Sequence, residues 1–225
     1  MKFIEREKNL LDLRIAELEA RRTTWSSSTK QLIQDVFSEA VNEASSVQHP
    51  FRLSSRINDD DKNEETVQLT AGVNKTGVIV EEDREINGSI HKVKRHIGEK
   101  GCSLVASFGI DGSVFFMIFP YRSDRHSWEE DCIIVKSMVD PNDVSKKKLE
   151  KIISQFFFYA RFSSIKGARL KRLDMEIFRY YYLLLLDIRN RKKVTATALS
   201  VAYDWSKIIA AGAIGYFVAV AVQSS

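Results

Sequence analysis

Histidine and several carboxylates come together in the sequence only in the polar stretch that follows Pro120. His126 lies there among four acidic residues, Asp124, Glu129, Glu130 and Asp131. A histidine beside carboxylates suits acid–base chemistry or metal binding, but either use needs a nucleophile or a second strong ligand nearby. Neither follows at a suitable spacing, so we predict a solvated loop here.

Three other patterns are weaker still. His91 and His96 fall on opposite faces of one predicted strand, which argues against a shared metal ion. Residues 98–103 contain glycines, a lysine and a serine in the wrong order for a phosphate-binding loop. The run Asn58-Asp59-Asp60-Asp61 lacks the glycine and the terminal glutamate of a calcium-binding loop. We therefore predict a protein that is not an enzyme and has no metal or cofactor site.

Positive charge is concentrated near the end of the chain. The whole protein has a net charge of +4, whereas residues 141–193 hold 14 Lys or Arg and 5 Asp or Glu, a difference of +9. Such a segment predicts an anionic partner, and we assign this role to Lys146, Lys147, Lys148, Lys151, Arg189, Arg191, Lys192 and Lys193. Aromatic residues interleave with these cations, which also suits nucleic acid. Because the aromatics fall on the apolar faces of predicted helices, we expect them to pack in the core.

The last segment is the most apolar. Residues 208–222 contain no charge, and as a helix they would measure about 22 Å against a hydrocarbon core of about 30 Å. Extending the helix backwards gives a full span but places Asp204 and Lys207 in or at the membrane. Ala211, Gly215 and Ala219 align on one face, a pattern that lets helices approach closely. We favour a membrane anchor or one helix of a membrane oligomer; a buried helix and an interfacial helix are the alternatives.

The N-terminal region predicts two helices. Ile4, Leu11 and Leu18 recur every seven residues, and Trp25 and Leu32 continue the column, but Glu7, Arg14 and Arg21 occupy its partner positions. This pattern leaves open whether the first helix self-associates or docks on its own domain. Serines 26–28 provide capping hydroxyls for a second helix that ends near residue 45.

From residue 66 to 139 the apolar pattern alternates, which predicts about five or six antiparallel strands. Residues 74–77 read as a turn, and Asn87-Gly88 predicts a hairpin that sets Asp83 opposite Lys92 and Glu81 opposite Lys94. The second apolar strand, residues 114–119, should be covered on both faces. Cys102 and Cys132 lie in apolar runs and are expected to be buried free thiols.

Two further helices follow, over about residues 141–162 and 168–192. The predicted fold is α+β: N-terminal helices, a central antiparallel sheet and C-terminal helices ending in a hydrophobic, candidate transmembrane helix. The predicted division is residues 1–46 (helical), 47–65 (acidic linker), 66–140 (sheet), 141–193 (basic helices) and 194–225 (hydrophobic helix).

These features lead to one main hypothesis. The protein is expected to be a homo-oligomer on the cytoplasmic side of an anionic membrane, with a partner-binding or sensing domain. The layout is also that of a membrane-perturbing effector in bacterial antiviral defence, by analogy of architecture alone. The alternative is a soluble subunit of a larger protein or ribonucleoprotein complex with its C-terminal helix buried at an interface.

Overall fold

The computed structural model describes residues 2–58, 65–86, 89–124, 127–167 and 174–190. Over these residues the protein has an α+β fold with N-terminal helices, a five-stranded antiparallel sheet and a separate two-stranded sheet. The predicted fold class is confirmed at this level. Among the described residues, no helix has the length and apolar character needed to cross a bilayer. The predicted hydrophobic helix lies outside the described residues.

The N-terminal helices run without a break. Helix α1 (Lys2–Thr24) continues through a π-helical turn (Trp25–Thr29) into helix α2 (Lys30–Ser46). The predicted serine cap was wrong, because Ser27 and Ser28 donate hydrogen bonds back to the Thr24 carbonyl oxygen at 3.5 and 3.1 Å. Hydroxyls that bond within the helix cannot cap a new one.

Five strands form the main sheet, in the order β1-β2-β5-β6-β7. They are β1 (Leu53–Asn58), β2 (Thr66–Ala71), β5 (Ser103–Phe108), β6 (Val114–Phe119) and β7 (Ile133–Val139). Strand β1 lies inside the segment predicted to be a loop-like linker, and its register pairs Leu53 with Ala71. The long-range pairing with β2, rather than local composition, makes this segment a strand.

The other two strands form a ribbon of their own. Strand β3 (Asn74–Ile86) pairs with β4 (Ser89–Glu99), and Glu81 faces Lys94 while Asp83 faces Lys92, as predicted. The predicted turn at residues 74–77 was wrong, since this stretch belongs to β3. Gly77 has φ +80°, and the register shifts between Lys75 and Ile79, so the turn-forming residues mark an irregularity within the ribbon.

The core lies between one face of the main sheet and helices α2 and α3 (Lys146–Ser163). The inward side chains of the sheet and the apolar faces of both helices are fully buried there; they include Ile33, Phe37, Leu69, Leu104, Phe116, Ile118, Leu149 and Phe156. Helix α3 starts later than predicted because Pro141–Asp143 forms a short 3-10 turn before it. Helix α4 (Asp174–Leu186) packs against α3 and β7.

Strand β6 is buried on one face only. Val114, Phe116 and Ile118 are buried against the helices, whereas Phe115, Met117 and Phe119 on the other face are half-buried. Within the described parts of the chain, the helices cover the first of these faces. The expectation that β6 is covered on both sides is therefore not met there.

Helix α1 projects from the body. It has no buried residue, and its large apolar side chains Phe3, Ile4, Leu10, Leu11, Leu13 and Ile15 are exposed. Only its base is held: Arg21 Nε lies 2.9 Å from Asp140 Oδ2, and Leu18 lies over the turn that contains Gly112. Of the two possibilities that the sequence left open, docking of α1 along its own domain is not observed.

Candidate functional site: an apolar helix face beside a lysine-lined groove

Helix α4 carries apolar side chains on the side that faces away from the body. Five of its exposed apolar residues, with relative exposures of 42% to 76%, lie together on this side; they are Met175, Phe178, Tyr181, Tyr182 and Leu185, and we call them the α4 outer face. Opposite them, Leu183 and Leu184 are buried in the core. A helix that is apolar all round is normally covered on all sides. Within the described residues, the α4 outer face is therefore an apolar surface that a partner can cover.

Aromatic packing holds the inner side of α4 in place. The Tyr180 ring stacks on Phe162 with 4.6 Å between the ring centroids, and Trp128 packs against both rings. The Tyr180 hydroxyl donates a hydrogen bond to Glu130 Oε1 at 2.5 Å. Burial and this contact raise the pKa of Tyr180, so its hydroxyl stays protonated. These contacts fix which side of α4 faces outward.

The C-terminal end of α4 is fixed by a buried carboxylate. Asp187 is fully buried; its Oδ2 accepts a hydrogen bond from the Ile134 backbone N–H at 2.9 Å. Arg189 donates to the same carboxylate and to the Cys132 carbonyl oxygen. Burial acts to raise the pKa of Asp187, but the hydrogen bonds from Arg189 and from Ile134 outweigh it, and the pKa is lowered.

A groove of about 390 Å³ runs along one side of the α4 outer face. Helix α3, strand β7 and α4 form its walls, and Tyr182 and Leu186 line it from α4. Three lysines also line it, Lys136, Lys148 and Lys151, and all three are exposed. Two acidic side chains, Asp140 and Asp143, line the same groove, but Asp140 already pairs with Arg21. Apolar and cationic groups are thus adjacent on one surface.

The structure divides the predicted cationic residues into different roles. Lys148 and Lys151 line the groove, and Lys148 Nζ donates to the Asp143 carbonyl oxygen at 2.7 Å. Lys147 is exposed beside them on α3. Lys146 instead forms an ion pair with Glu39 at 2.6 Å, and its hydrogen bond to that carboxylate raises the pKa of Lys146.

Arg189 was predicted to bind an anionic surface, but its guanidinium folds onto Asp187 and Cys132. It is therefore at least in part a structural residue. The remaining predicted residues, Arg191, Lys192, Lys193, Asp204, Lys207, Ala211, Gly215 and Ala219, lie outside the described residues.

The prediction that the interleaved aromatics pack in the core was right for α3 and wrong for part of α4. Phe156, Phe158 and Tyr159 are buried, whereas Phe178, Tyr181 and Tyr182 are exposed. The sequence pattern could not separate these two groups, because α4 has apolar residues around its whole circumference and periodicity alone does not choose its inner face.

In the acidic loop after Pro120, three of the carboxylates make structural contacts. Asp124 pairs with Arg95 at 2.8 Å, Asp131 pairs with Arg122 at 2.7 Å, and Glu130 accepts from Tyr180. His126 lies outside the described residues. In the parts of the chain that are described, three or more His, Cys, Asp or Glu side chains nowhere converge as they would to hold a metal ion. Cys102 and Cys132 are buried free thiols, as predicted, and burial raises the pKa of Cys102.

Glu99 is one of the buried polar residues that sequence reasoning missed. Its carboxylate accepts hydrogen bonds from the Ser164 hydroxyl and the Ile165 backbone N–H, both at 2.8 Å, and so joins the base of the ribbon to the end of α3. Its place in the stretch 98–103 carried no indication of burial, because the donors come from residues 65 positions or more away. The contact is structural and lies apart from the groove.

Comparison of the chain with models of protein families, with characterised proteins and with solved structures gives no match. The function is therefore argued from the surface formed by the α4 outer face and the lysine-lined groove.

Proposed function

We propose that the protein is a non-enzymatic, self-associating protein that binds an anionic membrane with the surface formed by the α4 outer face and the groove lysines. The observation that carries the proposal is the exposure of Met175, Phe178, Tyr181, Tyr182 and Leu185 on one side of one helix. Contiguous apolar patches on soluble proteins mark interaction sites, either for protein or for membrane.

The chemistry of the patch favours lipid. Tyrosine and phenylalanine suit the boundary between head groups and acyl chains, and lysines beside them are attracted to anionic lipid. Lys136, Lys148 and Lys151 stand at the groove that borders this face. An interfacial helix with an apolar face and flanking cations lies flat on a bilayer in this way. In this arrangement α4 contacts the surface, and the apolar residues 208–222 that follow it enter or lie on the same membrane.

In this arrangement the α+β body lies on the cytoplasmic side, because cationic segments next to apolar ones are retained there. The ribbon and the main sheet remain available to a protein partner or a trigger. As an effector, the protein would perturb the bilayer on assembly, so leakage of a dye from loaded vesicles is the readout for this part of the proposal.

Vesicle flotation of the full chain tests membrane binding. We expect co-flotation with vesicles containing phosphatidylserine and little with vesicles of phosphatidylcholine alone. Phe178→Glu and Tyr182→Glu should each weaken binding, because a charge in the α4 outer face opposes insertion. The matched control is Ile110→Glu, which changes an apolar side chain that is 90% exposed in the β5–β6 turn. If the control weakens flotation as much as the α4 variants, the α4 outer face is not the membrane contact.

The second candidate is a soluble subunit of a protein or ribonucleoprotein complex. The exposure of the Tyr182 ring beside Lys148 and Lys151 favours it, because a base can stack on an aromatic ring while lysines contact the phosphates. Salt-sensitive binding of single-stranded RNA that Tyr182→Ala abolishes, together with a full chain that stays monodisperse without detergent, would select this function over membrane binding.

A further inference from the structure

Helix α1 lies near the other end of the sequence from α4. It presents a second surface that the described residues leave uncovered. Six side chains share one side of the helix, and apart from the neighbours Leu10 and Leu11 they follow one another at spacings of three or four residues: Phe3, Glu7, Leu10, Leu11, Arg14 and Leu18. We call them the α1 face. Phe3, Leu10 and Leu11 are exposed, and Leu18 is half-buried at the base. A helix of 23 residues extends about 35 Å, so this face projects well beyond the body.

The direction of α1 is fixed from its base. Beyond residue 24 the helix continues into the core, where Trp25 is fully buried and stacks on Phe108 with ring centroids 5.0 Å apart. The Arg21–Asp140 ion pair holds the last turn of α1 against the body. The projecting part is therefore presented in one orientation, which lowers the entropy cost of binding a partner.

Charge selects the partner. Glu7 and Arg14 lie in the middle of the α1 face, and neither forms an ion pair within the described residues. Their separation of seven residues is about 10 Å along the helix, too far for them to pair within one helix. A partner helix must therefore offer a cation opposite Glu7 and an anion opposite Arg14.

A second copy of α1 meets both needs if the two helices run antiparallel. With the two-fold axis between Leu10 and Leu11, residue i faces residue 21 − i of the other copy. Glu7 then faces Arg14 twice, and Leu10 faces Leu11 twice. Phe3 faces Leu18 at both ends. A parallel pair in register would instead set Glu7 against Glu7 and Arg14 against Arg14, which is unfavourable.

We infer that α1 is a homodimerisation arm that pairs antiparallel with α1 of a second copy of this chain through reciprocal Glu7–Arg14 ion pairs. Arms of this size bury an area at or below the roughly 1,200 Å² of the smallest standard interfaces. The dimer should therefore dissociate on dilution. The inference rests on the self-association included in the proposed function and names its interface, but it does not depend on membrane binding.

Charge exchange tests the inference. Sedimentation velocity of the full chain, in detergent if its extraction requires one, should show a monomer–dimer equilibrium. Glu7→Arg and Arg14→Glu should each raise the dissociation constant at least about tenfold, because each sets like charges opposite each other. The double variant Glu7→Arg/Arg14→Glu should restore wild-type dimerisation, since the opposite charges are paired again.

A matched control keeps the test specific. Glu5→Arg makes the same charge change on the opposite side of α1 and should leave the dimer unchanged. Circular dichroism and thermal unfolding would show whether each variant is folded. A wild-type chain that stays monomeric at all concentrations, or a double variant no better than the single variants, would overturn the inference. If the double variant fails to dimerise while the wild-type chain still floats with anionic vesicles, the α1 dimer alone is contradicted. If the double variant dimerises but the wild-type chain does not float, membrane binding alone is contradicted.

Discussion

The carboxylate of Asp187 accepts a hydrogen bond from the backbone N–H of Ile134 at 2.9 Å. This contact joins the end of α4 to the start of the edge strand β7. Edge strands leave backbone groups unpaired, and here a side chain from 53 residues away satisfies one of them. The contact links the stability of the sheet to the placement of the α4 outer face.

Asp187→Asn should destabilise the fold by about 2 kcal/mol at neutral pH, because it removes charge-assisted hydrogen bonds from a fully buried group. Denaturant unfolding measures this change. The lowered pKa of Asp187 also sets a pH dependence. A depressed pKa in the folded state contributes stability above the unfolded value of about 3.9 and loses it as the pH falls through the folded value. The variant should lack this part of the acid sensitivity, and equal acid profiles would contradict the assignment.

Gly112 tests how tightly the base of α1 is seated. The residue has φ +76°, and a Cβ built on it would lie 2.8 Å from Leu18 Cδ1 and 3.2 Å from Arg21 Cβ. Gly112→Ala should destabilise the protein by about 1 kcal/mol from the left-handed backbone and by about 1 kcal/mol more from crowding against α1.

The matched control for Gly112 is Gly101→Ala. Gly101 has φ +88° with no atom within 4 Å of the added Cβ, so it pays the backbone strain alone. The difference between the two variants in denaturant unfolding isolates the contact with α1. Equal losses of stability would show that α1 does not rest on this turn in solution.

The groove lysines should determine the salt dependence of membrane binding. Replacing Lys136, Lys148 and Lys151 with Gln should reduce the affinity for anionic vesicles by roughly fivefold per lysine, at about 1 kcal/mol each near the membrane surface. The variant should also bind with a weaker dependence on salt. Replacing Lys75, Lys92 and Lys94 of the ribbon removes the same charge elsewhere and should have little effect. If both triple variants lose the same affinity for anionic vesicles, the net charge of the protein, and not the position of the groove lysines, causes the attraction.

Two tyrosines in the same aromatic cluster should respond differently to loss of the hydroxyl. Among the described residues, the buried Tyr159 hydroxyl has no hydrogen-bond partner, whereas the Tyr180 hydroxyl donates to Glu130. Tyr159→Phe should leave the free energy of unfolding unchanged or increase it, because no hydrogen bond is lost and a buried polar group is removed. Tyr180→Phe should lower it by about 2 kcal/mol. Thermal unfolding distinguishes the two, and a clear loss for Tyr159→Phe would reveal a partner for its hydroxyl.

The sequence alone determined the features that depend on near neighbours in the chain. Alternation predicted the strands, the Asn87-Gly88 pair predicted the ribbon register that sets Glu81 against Lys94, and apolar surroundings predicted the buried thiols. These succeed because a period of two or a two-residue turn is a local property. The basic and aromatic character of the C-terminal helices was also visible, and it indicated the kind of surface that the proposed function uses.

Tertiary structure decided everything that depends on contacts between distant residues. It buried Trp25 against Phe108 within the continuous N-terminal helix, and it turned part of the acidic linker into β1 by pairing it with β2. It also placed Lys146 against Glu39 while Lys148 and Lys151 line the groove. Above all, it determined which side of α4 faces the core. A helix that is apolar all round has no preferred inner face in the sequence, and the burial of Leu183 and Leu184 in the core fixes that face.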